Sequence, residues 1–137
     1  MLKMNRTWDR LPCVSLTCEH NGVSVTLDQV VIDTAAAITI LDEPTLRRGG
    51  LVLGQRLQGH RMIGTGGAVY ADSYRLHRVA IDGEIQILGF TPHIGVTHVG
   101  HDLGGLLGLD FLELAGAIID LCKWTIDFAP AVEVGGT

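Results

Sequence analysis

Three parts of this chain carry residues that could do chemistry: an acid at a strand end, a glycine-rich tip and a run of histidines. Asp33 follows the β-branched run Val30-Val31-Ile32 and precedes Thr34-Ala35-Ala36-Ala37. A carboxylate in such a place can take or give a proton. On the Asp-Thr pair alone, the better reading is a turn residue that ends a strand, with Thr34 as its partner. Asp110 lies in the apolar stretch Gly105 to Leu112, and no Thr follows it. Gly64-Thr65-Gly66-Gly67 reads as a flexible tip between two strand patterns. It does not read as a phosphate cradle, because no Lys follows and no helix pattern begins there. His93, His98 and His101 are close in sequence but lack the helical or hairpin spacing that would converge them on an ion, so no metal site is expected.

The elements that must position these residues are short strands. The chain has 137 residues, 47% hydrophobic and 18% charged, with 18 glycines. That composition fits one ordered domain built from many strands and turns. Asn21-Gly22 is a strong hairpin signal, since both residues tolerate positive φ. Cys13 to Glu19 and Val23 to Ile32 are the strands on either side, the second ending in a run suited to burial on both faces. Asp42-Glu43-Pro44 marks a helix start and Gly49-Gly50 its end. Leu51 to Met62 reads as strand. Leu76 to Ile81 and Ile85 to Phe90 read as a hairpin turning at Asp82-Gly83, and Thr91 to Val99 as partly strand. Leu109 to Leu114 suits a short helix stopped by Gly116. Ala117 to Leu121 and Trp124 to Phe128 are closing strands. Residues 1–11 read as a flexible N-terminal segment, 12–128 as the domain and 129–137 as a flexible tail.

Charge and cysteine content exclude several classes. The net charge is −5 with no basic block, so nucleic acid is not an expected partner. No apolar run is long enough to span a membrane, and the N-terminus lacks a signal-peptide pattern, so neither a membrane partner nor secretion is expected. The default location is the cytoplasm, unless the chain is cut from a longer anchored protein. Cys13, Cys18 and Cys122 are an odd number and read as free thiols. Nothing in the chain calls for a cofactor.

Two segments in order carry a resemblance. Val30-Val31-Ile32-Asp33-Thr34-Ala35 resembles the catalytic loop of aspartic proteases, hydrophobic-hydrophobic-Asp-Thr-Gly. Gly105-Leu106-Leu107-Gly108-Leu109-Asp110-Phe111-Leu112, followed by Ala117-Ile118-Ile119-Asp120-Leu121, resembles the second signature of the retropepsin-like family. Met62 to Gly67 sits between them, where that family has its flap. The resemblance spans about residues 12–128 and points to the small bacterial single-domain type. One position departs from the pattern: Ala35 stands where the family has Gly.

The resemblance implies an all-β, closed barrel-like domain with one or two short helices. It implies an aspartic endopeptidase with Asp33, Thr34 and Ala35 in the catalytic loop. In that family a water is held between two carboxylates, one ionised and one protonated, and aspartic proteases are the standard example of two acids sharing a proton. One chain supplies one such loop, so the second acid must come from a symmetry mate in a C2 homodimer. Thr34 would lock the two loops together through its hydroxyl. Ile63, Gly64, Thr65, Gly66, Gly67 and Leu107 are the candidate substrate-binding residues, with Val31 and Ile40 as further subsite candidates. The substrate would be an extended peptide or protein lying as an added strand. Two other readings stand beside this one. The same dimer could bind peptides without turning them over, with Ala35 marking lost activity. The chain could also be an assembly or regulatory domain of a larger protein.

Overall fold

The computed structural model describes residues 1–64, 67–81, 83–97, 102–129 and 132–133. Its backbone is organised by one long hairpin, β3 (Pro12–His20) and β4 (Val23–Ile32). The turn works as the sequence reading expects: Asn21 has φ 50° and Gly22 φ 80°, the paired left-handed residues of a tight hairpin. Along β3, buried Leu16 and Cys18 alternate with more exposed neighbours. At the end of β4 the alternation stops, and Val30, Val31 and Ile32 are all buried. That change marks where the strand passes from a surface position to the middle of the sheet.

The sheet order explains the change. Among the described residues the main sheet runs β14 (Val132–Glu133), β9 (Ile85–Leu88), β8 (Arg78–Ile81), β3, β4, β11 (Gly105–Leu107), β5 (Ile40–Asp42), β10 (His93–Gly95), β7 (Gly67–Ser73), β6 (Gln58–Gly64), with β2 (Asn5–Arg6) paired to β3. β11 lies parallel to β4, with Leu107 opposite Ile32, and antiparallel to β5, with Leu106 opposite Ile40. The chain therefore leaves β4 at Asp33, crosses the end of β11 and returns as β5 on the other side.

Two short helices close the fold. In α1 (Glu43–Arg48), the Asp42 carboxylate caps the first turn by accepting from Thr45 N, and Pro44 occupies the first turn. In α2 (Leu109–Leu114), Phe111 and Leu112 are buried, and the Phe111 ring meets Phe90 edge-on with centroids 5.4 Å apart. Leu16, Leu27, Leu41, Leu46, Leu76, Ile87 and Leu107 are completely buried around them. A second sheet, in the order β1 (Leu2–Lys3), β13 (Thr125–Asp127), β12 (Ile118–Asp120), packs beside α2.

Several local expectations change. Strand was expected from Leu51, but it begins at Gln58, because residues 54–57 are exposed and Leu51 is instead tied to the end of α1 through Leu46 O. The first eleven residues, expected to be flexible, include β1 on β13, β2 on β3, and Met4 buried in the core at 3% exposure. In the tail, also expected to be flexible, Val132–Glu133 runs parallel to Ile87–Leu88. Trp124 is not a strand residue: it has φ 58° and half-buries its ring beneath the Arg6 guanidinium, 3.6 Å from the ring centroid.

Candidate active site

Asp33 stands at the point where β4 gives way to the crossing loop. Its amide donates to Leu107 O at 3.0 Å, the last bond holding it to the sheet. The loop then folds back on the side chain. Ala35 N donates to Asp33 Oδ1 at 3.1 Å, and Ala36 N donates to Asp33 O at 3.2 Å. The carboxylate is half-buried, while Thr34 and Ala35 beside it are exposed. The acid is thus held by backbone and remains partly exposed.

Ala35 bears on whether a side chain can be carried here. Among the described residues, the non-glycine residues with positive φ are Arg10, Asn21, Gln29 and Trp124. Ala35 is not one of them, so its methyl group imposes no left-handed strain. Its N–H reaches the carboxylate with the methyl in place.

The segment from Gly105 to Asp110 grips the loop from below. Leu109 N donates to Ala36 O at 2.8 Å and Asp110 N to Ala37 O at 3.2 Å, so the first turn of α2 spends its free N–H groups on the loop's carbonyls. Such closeness requires Gly108. A Cβ there would lie 2.5 Å from Ile38 O and 2.9 Å from Ala36 O. Gly105 is pressed in the same way against Ile40 O, at φ 156°.

Thr39 and Asp110 are the two residues that sequence reasoning did not place in the site. Thr39 is fully buried where the loop re-enters the sheet. Its hydroxyl donates to Asp110 Oδ1 at 2.7 Å and accepts from Gly108 N at 3.0 Å, while its amide donates to Asp110 Oδ2 at 3.1 Å. Asp110 Oδ1 also accepts from Phe111 N at 2.7 Å. One signal was available: a lone acid inside an apolar run must have donors nearby or it would not be tolerated there.

The expected subsite residues fare differently. Leu107 is completely buried, and it serves the loop through its carbonyl rather than its side chain. Val31 and Ile40 are also core residues, 4% and 7% exposed. Gly64 and Gly67 pair across the end of the β6–β7 hairpin. Thr65 and Gly66 lie outside the described residues, as do the side chain of Ile63 and both His98 and His101. Among the described residues no group of three His, Cys, Asp or Glu side chains is placed to hold a metal ion. No helix among them is long and apolar enough to cross a membrane.

Comparison with known proteins places this arrangement in a fold. No family model matches the chain, and no curated protein matches it in sequence. Solved structures do match. A retropepsin-like aspartic protease from Rickettsia conorii superposes with a TM-score of 0.58 at 21% identity, over 87% of this chain and 92% of that one. The EIAV protease in complex with the inhibitor HBY-793 superposes with a TM-score of 0.60 at 22% identity, over 85% of this chain and 99% of that one. The chain has the retropepsin-like fold.

Proposed function

We propose that this retropepsin-like chain is one half of an aspartic endopeptidase, in which Asp33 of two copies meets across a two-fold axis. The observation that supports the reading most is the setting of Asp33: its amide donates to Leu107 O, its carboxylate accepts from Ala35 N–H, and the residue is only half-buried. A carboxylate placed to work alone would need a second acid in its own chain. Asp110 is not available for that, since both its oxygens are taken up by Thr39 and Phe111. The partner's Asp33 supplies the second acid by symmetry.

The chemistry follows from two acids about 3 Å apart that share one proton, since both cannot ionise cheaply. The ionised carboxylate takes a proton from a water held between them, and the water oxygen bonds to the scissile carbonyl carbon. The protonated carboxyl gives its proton to the carbonyl oxygen, and a gem-diol forms. The gem-diol then returns a proton to one carboxylate as the other protonates the amide nitrogen. The C–N bond breaks, and acid and amine leave with one proton still on the pair. Thr34, exposed beside Asp33, meets its copy and ties the two loops. The β6–β7 hairpin acts as a flap over an extended peptide or protein.

The test is an assay of the full chain on an unfolded protein and a peptide library from pH 3 to 8. Cleavage that is abolished by Asp33→Asn and blocked by a statine-type inhibitor is the expected result. A dimeric sample without turnover anywhere in that range would defeat the reading. If Ala35→Gly then restored cleavage, the protein would be a peptide-binding dimer that has lost catalysis.

A further inference from the structure

We infer that the pocket between His20 and residues 54–57 is a binding site for a carboxylate carried on a short apolar body, held by His20, His77 and Arg75 and separate from the Asp33 loop. Such a site works without Asp33 and without a partner copy, so it goes beyond the endopeptidase reading.

The pocket encloses about 580 Å³, within the usual range for a small ligand. Its wall is built by the end of β3, the residues leading into β6, the loop before β8 and the end of β9. Leu57 and Leu88, both exposed, and Leu76, completely buried, give it apolar surface. Its polar part is one-sided. Arg75, Gln55 and both histidines line it, and no Asp or Glu does. In a chain of net charge −5 that is a local reversal of sign.

The imidazoles are set as donors. Asn21 N donates to His77 Nδ1 at 3.2 Å, so that nitrogen carries no proton and the neutral ring carries it on Nε2. His20 is 9% exposed, and its Nδ1 is buried with no hydrogen-bond partner among the described residues. A buried N–H left alone is rarer than a buried acceptor left alone, so His20 also keeps its proton on Nε2. That atom faces Gly54, where a Cβ would lie 3.5 Å from it. Two N–H groups, a guanidinium and a carboxamide suit an anion, and the leucines suit an apolar body attached to it. A resident metal ion is a poorer fit, since no third ligand stands with the two histidines among the described residues.

Protonation strengthens the fit. Burial, and then the charge of His77, holds His20 below the ordinary value of 6.5. Glu19, next to His20 on β3, is engaged by Arg78 at 3.0 Å, and Asp72 lies 3.6 Å from Arg56. A bound carboxylate supplies a counter-charge beside the two imidazoles and draws a proton onto them as pH falls.

Hexanoate titrated into the full chain, followed by calorimetry and by the histidine ring signals in NMR, tests this, with hexanamide as the neutral control. Hexanoate binding should tighten at least about threefold between pH 7.5 and 5.5 and should raise the pKa of the His20 ring, and hexanamide should do neither. Arg75→Gln should weaken hexanoate about fivefold, equivalent to ~1 kcal/mol. Gly54→Ala, which lays a methyl against His20 Nε2 without removing a charge, should weaken it too. Arg48→Gln removes an equal charge on α1, outside the pocket, and should change nothing. A short peptide ending in leucine, free or amidated at its C-terminus, identifies the source: a free form that binds more tightly than hexanoate assigns the site to peptide ends, and one that binds more weakly assigns it to free acids. Equal binding of hexanoate and hexanamide, equal losses in Arg75→Gln and Arg48→Gln, or unmoved ring signals at millimolar hexanoate would overturn the site and leave the endopeptidase reading standing.

Discussion

Thr39 and Asp110, 71 residues apart, share a 2.7 Å hydrogen bond that ties the return of the Asp33 loop to the first turn of the helix beneath it. The same hydroxyl accepts from Gly108 N, so one buried oxygen joins both halves of the site. Thr39→Val keeps the shape but removes that oxygen, leaving the Gly108 N–H without its acceptor and the carboxylate short of a donor. Lost partners of this kind cost about 1–3 kcal/mol each, more where a charge is involved. Thr39→Val should therefore lower unfolding free energy by about 2–4 kcal/mol in urea titration. Thr39→Ser should retain most of it. Equal losses in the two variants would show that packing of the methyl, and not the hydroxyl, holds the loop.

What could be read from the residues was local or depended on a motif. The Asn21-Gly22 turn, the Asp42 cap with Pro44 behind it, and the helix closing at Gly116 each follow from the conformational limits of those residues. Asp33 stood out only because two flanking motifs came with it. The contacts that were missed join distant segments. Leu2–Lys3 reads as a polar end until β13 is placed beside it. Leu107 reads as an apolar subsite until β4 and β5 are seen to enclose it. Leu51 and Leu53 alternate like a strand, yet residues 51–53 have no neighbouring strand to bond with among the described residues. Periodicity reports which side of a residue is buried, and it does not report by what.

The thiols should divide by burial. Cys18 lies between β4 and β8 and is completely buried, which pushes its thiol up to about 12; Cys13 is raised as well, by the same desolvation. Cys122 is exposed. In the native protein at pH 8, a disulfide reagent should modify one thiol quickly and the other two only as the fold opens. The sign for stability follows. Between the ordinary thiol value near 9 and the raised folded value, the unfolded chain holds fewer protons than the native one. Stability should fall as pH rises above about 9, and a Cys18→Ala variant should lose part of that fall. Three thiols reacting at one fast rate would contradict the packing.

A second pH dependence concerns His20. Its ring lies 4.3 Å from that of His77, and its Nδ1 is buried with no hydrogen-bond partner among the described residues. His77 Nδ1 accepts from Asn21 N at 3.2 Å, on the hairpin turn next to His20. Burial, and then the charge of His77, holds His20 below the ordinary histidine value of 6.5. Below that value the unfolded chain takes up the proton first, so stability is full above about pH 6.5 and declines as pH falls toward the lowered native value. Denaturation midpoints at pH 7.5 and 5.5 should differ more for the wild type than for His20→Gln. Parallel midpoints would mean that this histidine does not titrate with folding.

The last expectation separates two small residues of the loop. Gly108 sits where a Cβ would meet the carbonyls of Ile38 and Ala36, backbone atoms that cannot swing aside. Gly108→Ala should cost about 1–3 kcal/mol, the range for forcing an extra carbon into a packed site, and should disturb cleavage through the loop. Ala35 is the reverse case. Its N–H already reaches Asp33 Oδ1 at 3.1 Å without a positive φ, so removing the methyl adds nothing to that bond. Ala35→Gly should lower stability by about 0.4–1 kcal/mol through unfolded-chain entropy. It should leave kcat/KM within about threefold, less than ~1 kcal/mol of transition-state energy. A tenfold or greater gain in cleavage would show instead that the methyl obstructs the water or the partner's loop, which a single subunit does not reveal.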